Sequence, residues 1–488
     1  MEDPVQIRYV VFNGLQLSIE SSRFHNWIMD NLGSLDANPS YILVHGPAGS
    51  GKSLLLQAIR KGVQNYFKND NACITSAPTA IASEVIGGGT IHSTFILNWG
   101  SNWADSMELE EFMEMCNETQ LRTLSWMQHA KLLLIDGINF VSSNDLARID
   151  HRLQEITGNR EPFGGLSVIV FGDFYQVPPK KGRWIFQDMH PDFIRKAQEK
   201  TPLSPAKLWD FFKIYELPSR NMRVAEDEQS IFEYMLYDID NNFLFDRLKK
   251  LCFVCWDKKQ TTEAIVEEYK QICQVNPEKT FAILTAENKI AEDLNDAIVH
   301  RVPEMKHILN KVAEGSLYAK RWKSKSIDLI LAKSVPVILT DNFGGVRSGT
   351  LGYVENFPDD DEILVEFPNG KVSVHRLEYK HNDQYFLQFP LRVAYAHTIE
   401  RAQGATFDGI ILVRNKTWTM AEIWNWGDHE DGHGELYTAL SRCRSLKNSK
   451  VTPLRFMQWG PAREVVDELE RMRRECPFLR MPLVQFNH

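Results

Sequence analysis

Two groups of residues in this chain have the types and spacing to do chemistry on a phosphorylated compound. The first is Gly46-Pro47-Ala48-Gly49-Ser50-Gly51-Lys52-Ser53. Glycines at this spacing let backbone N–H groups converge on anionic oxygens. Lys52 adds a point charge, and the Ser53 hydroxyl is a hard oxygen ligand suited to Mg²⁺. The second is Asp136, which ends the apolar run Leu132-Leu133-Leu134-Ile135. Alone, such an Asp reads as a strand end or helix cap; downstream of a phosphate loop it reads as a second cation anchor. A third apolar run, 166–172, leads into Asp173 and Gln176. Both fall past a strand end and can face the same phosphates, although a buried turn accounts for Asp173 equally well.

These side chains need particular elements behind them. Tyr41 to His45 is a short apolar run, read as a buried strand, and the residues after Lys52 read as a helix. Strand, glycine loop and helix N-terminus in that order place the loop amides and the positive end of the helix dipole on one anion. Asp136 then belongs at the carboxyl end of a neighbouring parallel strand, where doubly wound sheets hold their ligands.

The bulk composition narrows the class. With 488 residues the chain is too long for one core and is expected to form several domains. It is 43% apolar and 24% charged, ordinary for a globular protein. Lys and Arg number 55 against 64 Asp and Glu, a net charge of −9, which leaves room for a local basic channel but not a generally basic coat. Seven scattered cysteines and no signal-peptide pattern imply reduced thiols, hence an intracellular protein that is not secreted. No apolar run approaches ~20 residues, so no membrane partner is expected.

The order of motifs carries more. APTAIASEVIGGGTIHSTF (77–95), LLLIDG (132–137), GDFYQVPP (172–179), NMRVAEDEQSIF (221–232), AYAHTIERAQGATFDGIIL (394–412) and YTALSRCRS (437–445) follow one another. This series resembles the petite-integration-frequency (Pif-type) helicases, the RecD-like branch of superfamily one, over about residues 40–450; the last two blocks are the most specific. The resemblance implies two RecA-like α/β P-loop NTPase domains, ATP and Mg²⁺ as cofactors, and single-stranded or forked DNA as partner. Lys52, Ser53 and Asp136 would hold Mg·ATP, Gln176 would sense the γ-phosphate, and Arg223 and Arg442 would reach the phosphates with fixed charge. Gln403 and Gly404 would couple nucleotide to DNA. Pro78, Thr79, Thr90, His92 and Thr398 match positions that touch DNA without reading its sequence; a buried, hydrogen-bonded His92 is the plainer alternative. The activity implied is 5′→3′ unwinding in DNA repair, recombination or replication, in the nucleus or wherever the DNA is copied, by a monomer or a DNA-induced oligomer. Compact length hints at a viral or mobile-element source.

On this reading residues 1–215 form the first domain and 216–488 the second, joined by a link near 205–218 that contains Pro205 and Pro218. An insertion at 94–128, rich in Trp, Met and Glu, matches the family's wedge, with Trp99 and Trp103 as base-stacking candidates. Short strands and an Asn369-Gly370 turn within 340–384 read as an SH3-like β-barrel insertion. Cys252 and Cys255 form a lone CxxC, read as core thiols, and His429 and His433 fall in a surface loop. Two positions depart from the family. Only Gln16 is available to read adenine, at a longer spacing than expected. Gly137 stands where the family has a water-activating glutamate, and loss of a general base costs about 10²–10⁴-fold in rate. The expectation is a slow helicase; the alternative is an ATP-gated nucleic-acid-binding or partner-recruiting factor.

Overall fold

In the computed structural model the described residues are 8–97, 122, 124–179, 182–188, 204–218, 221–237, 246–248, 250, 253–254, 261–308, 311–312, 329–381, 384–413, 434–452 and 461–475. The chain divides into two compact units. The first comprises Met1–Phe245, Glu430–Ser441 and Met457–His488; the second comprises Asp246–His429 and Arg442–Phe456. The chain thus parts near residue 245 instead of 215/216, and two later segments return to the first unit.

The first unit is built on a six-stranded sheet in the order Gly89–Thr90, Cys73–Ala77, Leu132–Asp136, Ser167–Gly172, Tyr41–His45, Lys213–Glu216. Every pairing is parallel. His45 lies opposite Gly172 and Asp136 opposite Phe171, so the three strands that carry the chemistry end level at one edge. Parallel strands covered on both faces read as continuous apolar runs rather than alternating ones. Tyr41–His45 shows why: Leu43 enters one core cluster, while Ile42 and Val44 enter the other. The helices Ile19–Asp30 and Lys52–Phe67 cover the second face through Phe24, Ile28, Leu55 and Ile59. Ser143–Thr157 covers the first, joined there by Arg463–Glu475, which buries Val465, Leu469 and Met472 at helical spacing.

The expected link near 205–218 is not a linker. Pro205–Trp209 is a helix and Lys213–Glu216 is the edge strand of this sheet. Trp209, Ile214 and Tyr215 are all buried, and burying them outweighs the turn signal of the prolines.

The second unit holds a five-stranded parallel sheet in the order Ala396–Thr398, Phe281–Thr285, Gly409–Val413, Lys450–Thr452, Phe253–Val254. A separate five-stranded antiparallel sheet runs Gly370–His375, Glu362–Phe367, Leu351–Asn356, Pro336–Leu339, Leu391–Val393. Its alternating Ile363, Val365 and Phe367 face their own core. Phe367 pairs with Gly370, so the turn residues are Pro368 and Asn369, one position earlier than the sequence implied. Most of the 94–128 insertion, including Trp99 and Trp103, lies outside the described residues, as do Cys252, Cys255, His429 and His433.

Candidate functional site

The loop Gly46–Gly51 leaves the Tyr41–His45 strand and enters the Lys52–Phe67 helix, with Gly51 as N-cap at φ +90°. Gly49 has φ +78°, and a Cβ there would sit 1.9 Å from Asn221 Oδ1. Both the left-handed backbone and the crowding require glycine. The loop is further held by Met222, whose N–H donates to the Gly49 carbonyl at 3.1 Å. Lys52 Nζ donates to the carbonyls of Gly46 at 2.6 Å and Pro47 at 2.9 Å, which curls its charge back over the loop. Ser50 is buried.

Asp136 lies beside this loop. Ser53 Oγ donates to Asp136 Oδ2 at 2.6 Å, and the Gly137 N–H donates to Oδ1 at 3.0 Å. Burial pushes the Asp136 carboxyl up from its ordinary range; Ser53, Lys52, the Gly137 amide and Arg223 oppose that push. A hydroxyl and a carboxylate converging beside a lysine and a glycine loop make a hard-oxygen donor set, and these residues fit Mg²⁺ with a polyphosphate. Among the described residues no cluster of three or more His, Cys, Asp or Glu offers another metal site.

The 173–177 loop meets the same edge. Asp173 is fully buried and accepts three hydrogen bonds: from Tyr175 N at 3.2 Å, Gln176 Nε2 at 3.0 Å and Tyr437 Oη at 2.7 Å. Tyr437 Oη in turn accepts the Ala48 N–H of the phosphate loop at 2.9 Å. Thr438 Oγ1 accepts the Val177 N–H at 3.0 Å. Arg223 Nη1 donates to the Ser441 carbonyl at 3.4 Å, and Arg223 N to Asn221 Oδ1 at 3.1 Å. Lys52, Ser53, Asp136, Gln176 and Arg223 therefore come together with the phosphate loop in the first unit.

Pro78 and Thr79 follow the Cys73–Ala77 strand, Thr90 ends the Gly89–Thr90 strand with His92 two residues on, and all four are half-buried. The Thr79 hydroxyl caps Ala80–Val85 and the Thr90 hydroxyl caps Ile91–Phe95. Burial pushes the His92 imidazole down, with Asp145 opposing and Arg148 adding to the shift. In the second unit, Thr398 ends a strand at 1% exposure, Gln403 and Arg442 are buried, and Gly404 takes φ +86°. Gln16 sits exposed in a hairpin of Val11–Phe12 with Leu15–Gln16.

Sequence reasoning missed Tyr437, Thr438, Asn221 and Asn139. The first two lie inside YTALSR, where only the arginine drew notice; the signal was present. Asn221 opens the NMRVAEDEQSIF block, where again only the arginine drew notice, and Asn139 carries no pattern. Asn139 Oδ1 accepts from Asp173 N at 3.4 Å, a contact visible only once two strand ends are level.

A family model described as PIF1-like helicase matches residues 16–242. The chain is 25% identical over 447 residues to the ATP-dependent DNA helicase PIF1 of Danio rerio, covering 88% of this chain and 61% of the relative's length. It is 26% identical over 445 residues to the ATP-dependent DNA helicase Pif1 of Bdellovibrio bacteriovorus, covering 87% of this chain and 86% of that one. The crystal structure of Bacteroides Pif1 in complex with ADP-AlF3 and ssDNA superimposes with TM-score 0.66 at 25% identity, covering 94% of this chain and 98% of that chain. By motif order, by sequence and by fold, the chain resembles a divergent Pif1-type helicase.

Proposed function

We propose that this chain is an ATP-dependent DNA helicase that moves 5′→3′ on single-stranded DNA, with slow turnover. The observation that carries the reading is the meeting of Ser53 and Asp136 beside the phosphate loop, with Gln176 held a few residues past the next strand. Loop amides and Lys52 bind the triphosphate, and Ser53 and Asp136 ligate Mg²⁺, which when bound neutralises phosphate charge. Asp173 grips the Gln176 carboxamide by its nitrogen, which turns the carboxamide oxygen away from Asp173 and toward a role in orienting water. Arg223 and Arg442 supply fixed positive charge to the phosphates. Pro78, Thr79, Thr90, His92 and Thr398 contact the DNA backbone, and Gln403 and Gly404 link the two events. The antiparallel sheet of the second unit is read as the SH3-like insertion and residues 94–128 as a wedge.

Slow turnover follows from two observations. Gly137 has no side chain to take a proton from water. Asp173, a candidate replacement base, already accepts three hydrogen bonds. The same two observations favour a second reading, a nucleotide-gated DNA-binding factor with hydrolysis largely lost. ATP hydrolysis measured with and without single-stranded DNA separates them, with Lys52→Ala as blank. DNA-stimulated activity above the blank is expected; nucleotide binding with no activity above the blank would establish the second reading.

A further inference from the structure

The short helix Glu435–Leu440 reaches the site at three points. Tyr437 Oη accepts the Ala48 N–H and donates to Asp173 Oδ2; Thr438 accepts the Val177 N–H; and the Ser441 carbonyl at its end accepts from Arg223. The approach is close. Gly434, the N-cap at φ +72°, leaves room for no Cβ, which would lie 2.7 Å from the Gln176 carbonyl carbon and 2.8 Å from the Tyr175 oxygen. The Tyr437 ring is 5% exposed and meets Phe232 edge-on, so its hydroxyl has little freedom to swing away.

One oxygen therefore stands between the phosphate loop and the carboxylate that orients Gln176. It accepts a hydrogen bond from one and donates to the other, and a group used both ways is polarised by each partner. Asp173 is a buried carboxylate whose Oδ2 accepts from both Gln176 and Tyr437. Without the Tyr437 hydroxyl, the carboxylate loses a charge-assisted bond and its hold on Gln176 loosens.

We propose that Tyr437 is a positioning residue for the ATPase: its hydroxyl sets the Ala48 end of the phosphate loop against the Asp173–Gln176 pair. This rests on the ATPase reading of the same site. The two hydrogen-bond partners of the Tyr437 hydroxyl named above, the Ala48 amide and the Asp173 carboxylate, are not the proposed metal ligands.

Tyr437→Phe removes the hydroxyl and keeps the ring against Phe232. In the full-length chain, kcat for DNA-stimulated hydrolysis should fall on the order of 10-fold while KM stays within about threefold, the loss expected of one charge-assisted hydrogen bond. Asp173→Asn should lower kcat as well, and the double variant should be little worse than either single one, because residues acting through one contact are not additive. Amide hydrogen exchange reads the contact directly: the Ala48 N–H should exchange about 10-fold faster in Tyr437→Phe than in the parent. If exchange at Ala48 is unchanged, or kcat stays within about twofold of the parent, the assignment fails. A parent no more active than Lys52→Ala would overturn the ATPase reading instead, and with it the kinetic role of Tyr437, while exchange at Ala48 would still show whether the contact exists.

Discussion

Gly137 matters in two ways. It removes a carboxylate from the end of the Leu132–Asp136 strand, and its backbone sits at φ +72°, ψ +37°, where a side chain is strained. A residue with a Cβ in the left-handed region costs about 1–2 kcal/mol relative to glycine. Restoring an acid here is therefore a trade between chemistry and stability. Gly137→Glu should raise kcat for ATP hydrolysis by about 10-fold or more, within the usual range for a general base. It should also lower Tm by a few degrees, as should Gly137→Ala, which should bring no gain in rate. An unchanged or lower rate in Gly137→Glu, with nucleotide binding retained, would place the limiting step away from the missing base. Both variants place a Cβ on the same left-handed backbone, so the difference between them isolates the carboxylate.

At the scale of elements, the sequence was most informative where one local pattern decides the structure. Strand, glycine loop and helix over residues 41–67 were readable because each piece needs only its neighbours. So were the short strands between 351 and 375, from their period of two. Residues 205–216 were not, because prolines signal a break locally while Trp209 and Tyr215 are secured by partners far away in the chain. Trp209 Nε1 donates to Glu468 at 2.8 Å, and Tyr215 Oη donates to the Glu20 carbonyl at 2.8 Å. The helix Arg463–Glu475 illustrates the same limit: its apolar stripe is plain, but its dock is not. Arg473 Nε and Nη2 form a two-pronged pair with Glu216 at 3.0 and 2.7 Å. Glu216 also faces His45, the residue before the phosphate loop, at 3.7 Å. Burial alone would push the Glu216 carboxyl up, but His45 and Arg473 outweigh it and hold it down at about 2. A carboxyl whose folded pKa is depressed adds stability above its unfolded pKa of about 4.3 and loses it as pH falls toward the folded value. Glu216→Gln should therefore lower Tm by the same amount anywhere from pH 7 down to about 5. Below that the gap to the parent should narrow; a gap that is constant or widening in acid would mean that Glu216 does not hold the helix by charge.

For the whole molecule, the relevant fact is that each unit owns a core. Two clusters line the six-stranded sheet of the first unit, and two others belong to the second. Units with separate cores need not unfold in one step, and a ligand stabilises only the unit whose folded form it binds. All the phosphate-loop contacts described here, from Lys52 to Tyr437, fall within the first unit by its chain boundaries. Two thermal transitions are expected, and Mg·ADP should raise the first unit's the more, because the phosphate loop, Ser53 and Asp136 all belong to it. At 100 times Kd the ligand adds about 2.7 kcal/mol, which for a unit of this size is about 4–5 °C. Lys52→Ala should shrink that shift without moving the other transition, because its charge is placed on the loop and buries little apolar surface. Scanning calorimetry with and without Mg·ADP tests this. If both transitions rise equally, the phosphate loop is not the principal nucleotide site; if neither rises, the loop does not hold nucleotide and the proposed function fails at its first step.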